Sequence, residues 1–345
     1  MSETMDRANE IPHPRGQRAL IGHERAELAV LEALRSHRLG HAWLISGPAG
    51  IGKATFAYRV ARFLLADTSA FERAITASSL DVALSDPAAK RIAARAHPDL
   101  FVLERTVGKT GKLRNEIIVD DARRAISFLQ ATSGQGAWKV LIVDVADELN
   151  HNAANALLKI IEEPPGQSLV LLLANVAMRV PATIRSRCRM LQLSPLTETQ
   201  IVEVVRNLPV GSSESEAAIT AAAALANGSA QRALRLLEEQ AAIFATLTLE
   251  ALEAPAALRR ASCQKLLTKL GPRTEGASYD IVFDTLFDWL QARAISQVGH
   301  STVHAQAAAR LWIRIDSRKR EADIYNLDKR ALVLTSLNEV AELAS

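Results

Sequence analysis

The stretch "HAWLISGPAGIGKAT", residues 41–55, decides how the rest of the chain is read. "HAWLIS" is an apolar run of strand length, and the glycine-rich turn after it opens directly into the helical pattern "KATFAYRVARFLLA". Strand, glycine turn and helix in that order form the setting of a phosphate-binding loop. In such a loop the backbone N–H groups and the helix N-terminus favour an anion, and a lysine adds a point charge. The full pattern runs Gly, four residues, Gly-Lys, then a Ser or Thr whose hydroxyl reaches magnesium. Gly47, Gly50, Gly52 and Lys53 are in place, but Ala54 holds the hydroxyl position and Thr55 arrives one residue late. Successive helix residues lie about 100° apart, so Thr55 points to a different face. A glycine-rich strand-to-helix turn that binds nothing is the alternative reading.

Outward from the loop, short apolar runs alternate with helical patterns from about residue 20 to 195. That alternation reads as an α/β domain with a largely parallel sheet. The strands are "HAWLIS" (41–46), "DLFVL" (99–103), "KVLIVDV" (139–145) and "SLVLLLA" (168–174), each continuously apolar and so expected to be covered on both faces. The segment 67–97, rich in Ala, Ser and Asp, reads as a helical insertion with loose ends. After "LSPL" (193–196) the strand signal fades into helices: "TETQIVEVVRNL" with a Thr cap, "SESEAAITAAAALA" and "GSAQRALRLLEEQAAIFATL". The expected organisation is a flexible leader over 1–19, a nucleotide-binding-like core over 20–195, a small helical lid over 196–250 and an all-α domain over 251–345. In the last of these, Phe283, Leu286, Phe287 and Trp289 read as core.

The chain of 345 residues carries a formal charge of only +3, with acids and bases interspersed, so no global field points to nucleic acid or a membrane surface. Cys188 and Cys263 stand far apart without metal-ligand spacing, which argues against a disulfide framework and a cysteine zinc site and fits a reducing cytoplasm. No apolar run approaches membrane-spanning length, and no membrane partner is expected.

Two further motifs bear on phosphate chemistry. Asp144 ends the strand "VLIVD", where an Asp supports magnesium and an adjacent Glu polarises the attacking water; the adjacent residue here is Val145. Asp147 and Glu148 lie beyond the strand tip, facing solvent or starting the next helix. In "IRSRCRM" (184–190), Arg185, Arg187 and Arg189 alternate. They lie on one solvated strand face, or one guanidinium on a short turn reaches a phosphate, a task suited to its planar and permanently charged fork.

Together with "LIGHERA" (20–26), "HPDLFVLE" (97–104), the run "NAANALLKIIEEPP" and "TIRSRC" that follows it, these motifs resemble the clamp-loader family of AAA+ ATPases. The resemblance is strong over about 20–195, moderate to about 235 and weak beyond. It implies an AAA+ P-loop core, a helical lid and a C-terminal helical collar through which subunits assemble. It implies that Arg187 is an arginine finger offered in trans to a neighbouring motor subunit, and that Asn175 holds the first sensor position. By the same alignment, Gln231 in "GSAQRAL" replaces the second-sensor arginine, with Arg232 one step away. Many relatives carry a four-cysteine zinc module in the region matching 67–97; no cysteine lies there, and His97 reads as a packing residue.

Ala54, Val145 and Gln231 each remove a different catalytic contribution. Two losses of about 10² in rate already raise the barrier by about 5 to 6 kcal/mol. The expectation is therefore a non-hydrolysing stator subunit of the DNA polymerase III clamp loader, part of a nucleotidyltransferase holoenzyme. Its implied partners are the gamma and tau motor subunits and the delta subunit, with the sliding clamp and primed DNA reached through the complex. No cofactor is required on this reading, although Lys53 and the glycines leave residual ATP or ADP binding open. The alternative is an active AAA+ motor subunit, in which Thr55 and a remote carboxylate take over the missing roles.

Overall fold

The computed structural model describes residues 13–343 apart from 67–68, 109–110, 112, 133–137, 272–275, 298–300 and 326. It divides into two compact units, 1–233 and 234–345.

The first unit is built on five parallel strands: β1 (Ala42–Ser46), β2 (Leu100–Glu104), β3 (Lys139–Asp144), β4 (Ser168–Ala174) and β5 (Arg189–Gln192), in the spatial order β2-β3-β4-β1-β5. Parallel strands require crossovers, and helices supply them on both faces. Because side chains alternate along a strand, Trp43, Ile45, Val140, Ile142, Leu169 and Leu171 fill one face. There they meet α1 (Glu24–Arg35), α2 (Lys53–Leu65), α3 (Ala70–Thr76) and α4 (Pro87–Ala93). Leu44, Leu141, Val143, Val170 and Leu172 fill the other, under α5 (Val119–Gln130), α6 (His151–Glu162) and α7 (Ala182–Arg185).

β1, β3 and β4 are buried along their whole length or nearly so, as continuous apolar runs require. β2 differs from the sequence expectation: as an edge strand it is fully buried only at Leu103. β5 is a strand that the sequence did not announce. It is short and mostly exposed, with only Met190 and Leu191 apolar, pairs with β1 in the register Trp43↔Arg189, and lays the Arg189 guanidinium 4.4 Å from the Trp43 ring centroid. A charged edge strand carries no hydrophobic run to read.

The segment read as a helical insertion with loose ends does carry two helices, α3 and α4, and they belong to the sheet cover, with Ala70, Ala74, Leu80, Ala89 and Ile92 in the core; residues 67–68 lie outside the described residues. Arg35 of α1 ties it down by donating to the carbonyls of Ala74 and Ala77. Of the expected leader, residues 1–12 lie outside the described residues. Residues 15–18 run along α2, where buried Arg62 donates to the carbonyls of Arg15 and Gln17, and Arg59 donates to the Arg18 carbonyl.

Beyond the sheet come α8 (Glu198–Arg206), α9 (Glu216–Leu225) and α10 (Ala230–Leu236). Thr197 closes α8 with a capping box, each partner satisfying the other's backbone N–H: Gln200 N donates to Thr197 Oγ1 and Thr197 N to Gln200 Oε1. Ser215 caps α9. The pattern "GSAQRALRLLEEQAAIFATL", read as one helix, is two, because Glu238 is extended between α10 and α11 (Glu239–Glu253).

In the second unit α11 is followed by α12 (Ala256–Lys269), α13 (Gly276–Ser296), α14 (Thr302–Tyr325) and α15 (Lys329–Leu343). Phe283 and Leu286 are core, whereas Phe287 and Trp289 are half-buried, and Phe287 packs on Trp312 at 5.2 Å between ring centroids. Glu339 of α15 accepts from Arg318 of α14 at 2.6 Å. No helix among the described residues is long and apolar enough to cross a membrane.

Candidate functional site

The order β3-β4-β1 sets three strand ends side by side, and in an open parallel sheet ligand sites lie outside the carboxyl ends of the strands. β1 delivers the loop 47–53, β3 delivers Asp144, and β4 delivers Asn175. Residues up to 128 positions apart in sequence meet there because the sheet, not the chain order, sets their spacing.

Lys53 is the hub. It opens α2 at the bottom of the loop, is 7% exposed, and its ammonium donates to Gly47 O at 2.8 Å, Pro48 O at 2.6 Å and Asn175 Oδ1 at 2.8 Å. An ammonium has three N–H donors, and here each has an acceptor supplied by the protein. Burial pulls the Lys53 pKa down to about 8, against the opposing attraction of Asp147 and Asp144. Asp144 answers in the same way: its pKa is raised, first by burial, with Lys53 pulling it back.

The glycines do a different job from the one the sequence suggests. At Gly50, with φ +75°, a Cβ would stand 2.3 Å from Ser229 Oγ and 2.7 Å from Gln231 Cβ. The backbone N–H of Gln231 also donates to Gly50 O at 3.2 Å. The start of α10 therefore sits on the loop, and Gly50 is small for the protein's own chain. Gly47 is likewise crowded by the Leu193 carbonyl at 2.6 Å. Only Gly52, with φ +105°, meets nothing closer than His23 at 3.6 Å.

Ala54 is half-buried and packs against the core face that holds Phe56, so no hydroxyl lies at the metal position. Val145 follows Asp144 into a 3-10 turn over Ala146–Glu148. The two carboxylates of this turn do not face open solvent as the sequence suggests. Asp147 Oδ1 accepts from the Asn175 backbone N–H at 3.1 Å, and Glu148 lies 2.9 Å from Arg105 Nε. Asp147 is near enough to Asp144 to help raise its pKa, and burial raises the Glu148 pKa against the pull of Arg105. Among the described residues no group of three or more His, Cys, Asp or Glu side chains could hold a metal ion. As they stand, the lysine is bound to its own loop, no hydroxyl stands at position 54 and the start of α10 covers Gly50.

The second part of the site is the turn Ser186-Arg187-Cys188 between α7 and β5. Ile184 is fully buried and Cys188 is half-buried, with burial pushing its thiol up to about 12, so these two anchor the turn. Arg185 donates to Met178 O at 3.1 Å and Val180 O at 2.7 Å, closing the preceding loop. Arg187 points outward. The three arginines thus have three different settings, a loop clasp, an exposed turn and a ring contact on β5, rather than one strand face. His97 accepts from the Asp99 backbone N–H at 3.1 Å through Nδ1.

Sequence reasoning missed three contributors. His23 is 3% exposed and its Nε2 lies 2.7 Å from Ile51 O, pinning the loop to the start of α1. Ser229 presses on Gly50 and also caps α10 by accepting from Arg232 N. Glu162, the last residue of α6, lies 2.6 Å from Arg187 Nε. Its one legible signal was an acid at the C-terminal end of a helix, where the helix dipole disfavours it.

Comparison with known proteins adds to this geometry. Residues 22–197 match the family model described as "DNA polymerase III, delta subunit". The DNA polymerase III subunit delta' of Pseudomonas aeruginosa is 36% identical over 198 residues, covering 57% of this chain and 55% of that protein. The delta' subunit of Escherichia coli K12 is 32% identical over 212 residues, covering 61% and 58%. The DNA polymerase III subunit gamma of Buchnera aphidicola from Acyrthosiphon pisum is 30% identical over 227 residues, covering 65% and 58%. The matched region thus spans little more than half the length of these relatives. It contains the loop, Asp144, Asn175 and Arg187, and with the family model matched over more than half of the chain, the chain belongs to the DNA polymerase III delta subunit family.

Proposed function

We propose that this chain is a delta-prime-type stator: a clamp-loader subunit that does not hydrolyse ATP itself and presents Arg187 in trans to the ATP site of a neighbouring motor subunit. The observation that carries the reading is the state of Lys53, whose three donors are held by Gly47, Pro48 and Asn175. A phosphate could enter only by displacing these acceptors, and no hydroxyl at Ala54 and no acid at Val145 would complete the metal and water chemistry that hydrolysis requires. Gln231, in place of a cationic second sensor, meets the loop through its backbone and adds no charge.

Arg187 supports the other half of the reading. It is exposed on a turn whose neighbours are anchored, so the guanidinium is offered outward from a rigid base. Such an arginine stabilises charge in phosphoryl transfer and is worth about 10³ to 10⁵ in rate where it acts. The implied partners are the gamma or tau motor subunits and a delta subunit, with the sliding clamp and primed DNA reached through the assembly. The proposed domain roles are residues 20–195 as the core, 196–250 as a lid and 251–345 as the assembly collar, with α11 of the lid segment belonging to the second compact unit.

Steady-state hydrolysis with magnesium and primed DNA tests both halves. The purified chain alone should turn over ATP at background, and the reconstituted loader carrying Arg187→Ala should lose most of its DNA-stimulated ATPase. Turnover by the isolated chain that vanishes in Lys53→Ala would overturn the stator reading, and an unchanged loader would overturn the finger.

A further inference from the structure

We propose that Glu162 is the positioning residue for Arg187, bracing the guanidinium from within the same chain so that it reaches a neighbour's phosphate already oriented. The inference rests on the reading of Arg187 given above and asks what holds that side chain.

Arg187 is held from two directions. Its Nε lies 2.6 Å from Glu162 Oε1 in an ion pair, and Nη1 donates to Thr183 O at 2.9 Å and Ser186 Oγ at 3.2 Å. Among the described residues the remaining nitrogen, Nη2, donates no hydrogen bond. One end of the fork is therefore fixed to α6 and α7, and the other is available to a phosphate oxygen. Arginine has a planar fork, so hydrogen bonds at Nη1 and the carboxylate beside Nε together orient Nη2.

Stability does not account for the carboxylate. Both partners are solvent-accessible, and exposed ion pairs contribute little to folding. Glu162 also closes α6, where the helix dipole favours a cation rather than an acid, and Pro164 and Pro165 fix the point at which the chain leaves. The acid stands at an unfavourable helix position and meets the one exposed arginine of the turn. A charge placed there matters through Arg187: small displacements of a group acting in a transition state reduce rate far more than binding.

The test uses the full chain reconstituted with its motor subunits, with kcat and KM for DNA-stimulated ATP hydrolysis measured separately. Glu162→Gln keeps the shape and removes the charge; it should lower kcat about tenfold with KM within about twofold of native. Glu162→Asp, which keeps the charge on a shorter stem, should recover part of the loss. Glu162→Gln combined with Arg187→Ala should be no slower than Arg187→Ala alone, because the acid acts only through the arginine. Gel filtration should show full assembly of each variant. If Arg187→Ala slows the loader but Glu162→Gln matches native, or slows the double variant further, the positioning role is overturned while the finger survives. If Arg187→Ala has no effect, the finger itself falls and this inference with it.

Discussion

Lys53 shows how one residue can keep a motif's identity and change its use. It stands where a phosphate-loop lysine stands, yet its three N–H groups are held by two carbonyls of its own loop and by Asn175. The burial that makes those bonds strong also lowers its pKa to about 8. In the unfolded chain this lysine returns to 10.5, so between about pH 8 and 10.5 the unfolded state binds more protons than the folded one. Stability linked to Lys53 therefore rises with pH across that window, and below about pH 8 the desolvation penalty is present in full. The shift is worth roughly 3 kcal/mol. Urea unfolding at both ends of the window should show the native chain gaining up to that amount relative to Lys53→Met, which keeps the apolar stem and has no charge to titrate. Parallel pH dependence of the two proteins would mean that Lys53 is solvated.

At the scale of elements, the sheet and its caps follow local rules closely. α8 begins where Thr197 and Gln200 satisfy each other's backbone, and Thr197→Ala should cost about 1 kcal/mol in urea denaturation without changing the slope. A loss near zero would show that the first turn of α8 is held by packing alone. β1, β3 and β4 were legible because buried parallel strands are continuously apolar. β5 was not legible, because a four-residue, mostly exposed edge strand gives no period to read, and its strand character comes from pairing with β1. The division of the third lid pattern into α10 and α11 was hidden for a related reason. Leucine and alanine continue through Glu238, and only the extended backbone there separates the two helices.

For the whole molecule, the question is whether nucleotide is a ligand of this subunit at all. An intact site with ligand at a hundred times its Kd would add about 2.7 kcal/mol of stability, several degrees in the melting of a unit this size. With Ser229 and Gln231 seated on Gly50 and Lys53 held by its own loop, millimolar magnesium–ATP should move the melting temperature by less than about 1 °C. A rise of several degrees that Lys53→Met abolished would show that the loop opens to bind, and would return the chain to the motor class.

The sequence by itself determined the parallel α/β core, the family and the residues Ala54 and Val145 that depart from the phosphate-site pattern, because hydrophobic period, helix caps and the presence or absence of a hydroxyl or a carboxylate are properties of residues in order along the chain. Tertiary structure alone decided that Gly50 makes room for α10, that Asp147 accepts from Asn175 and Glu148 lies beside Arg105, and that Glu162 meets Arg187. Each of these joins residues on different elements, and their distance is set by how strands and helices stack, which no local pattern in the chain encodes.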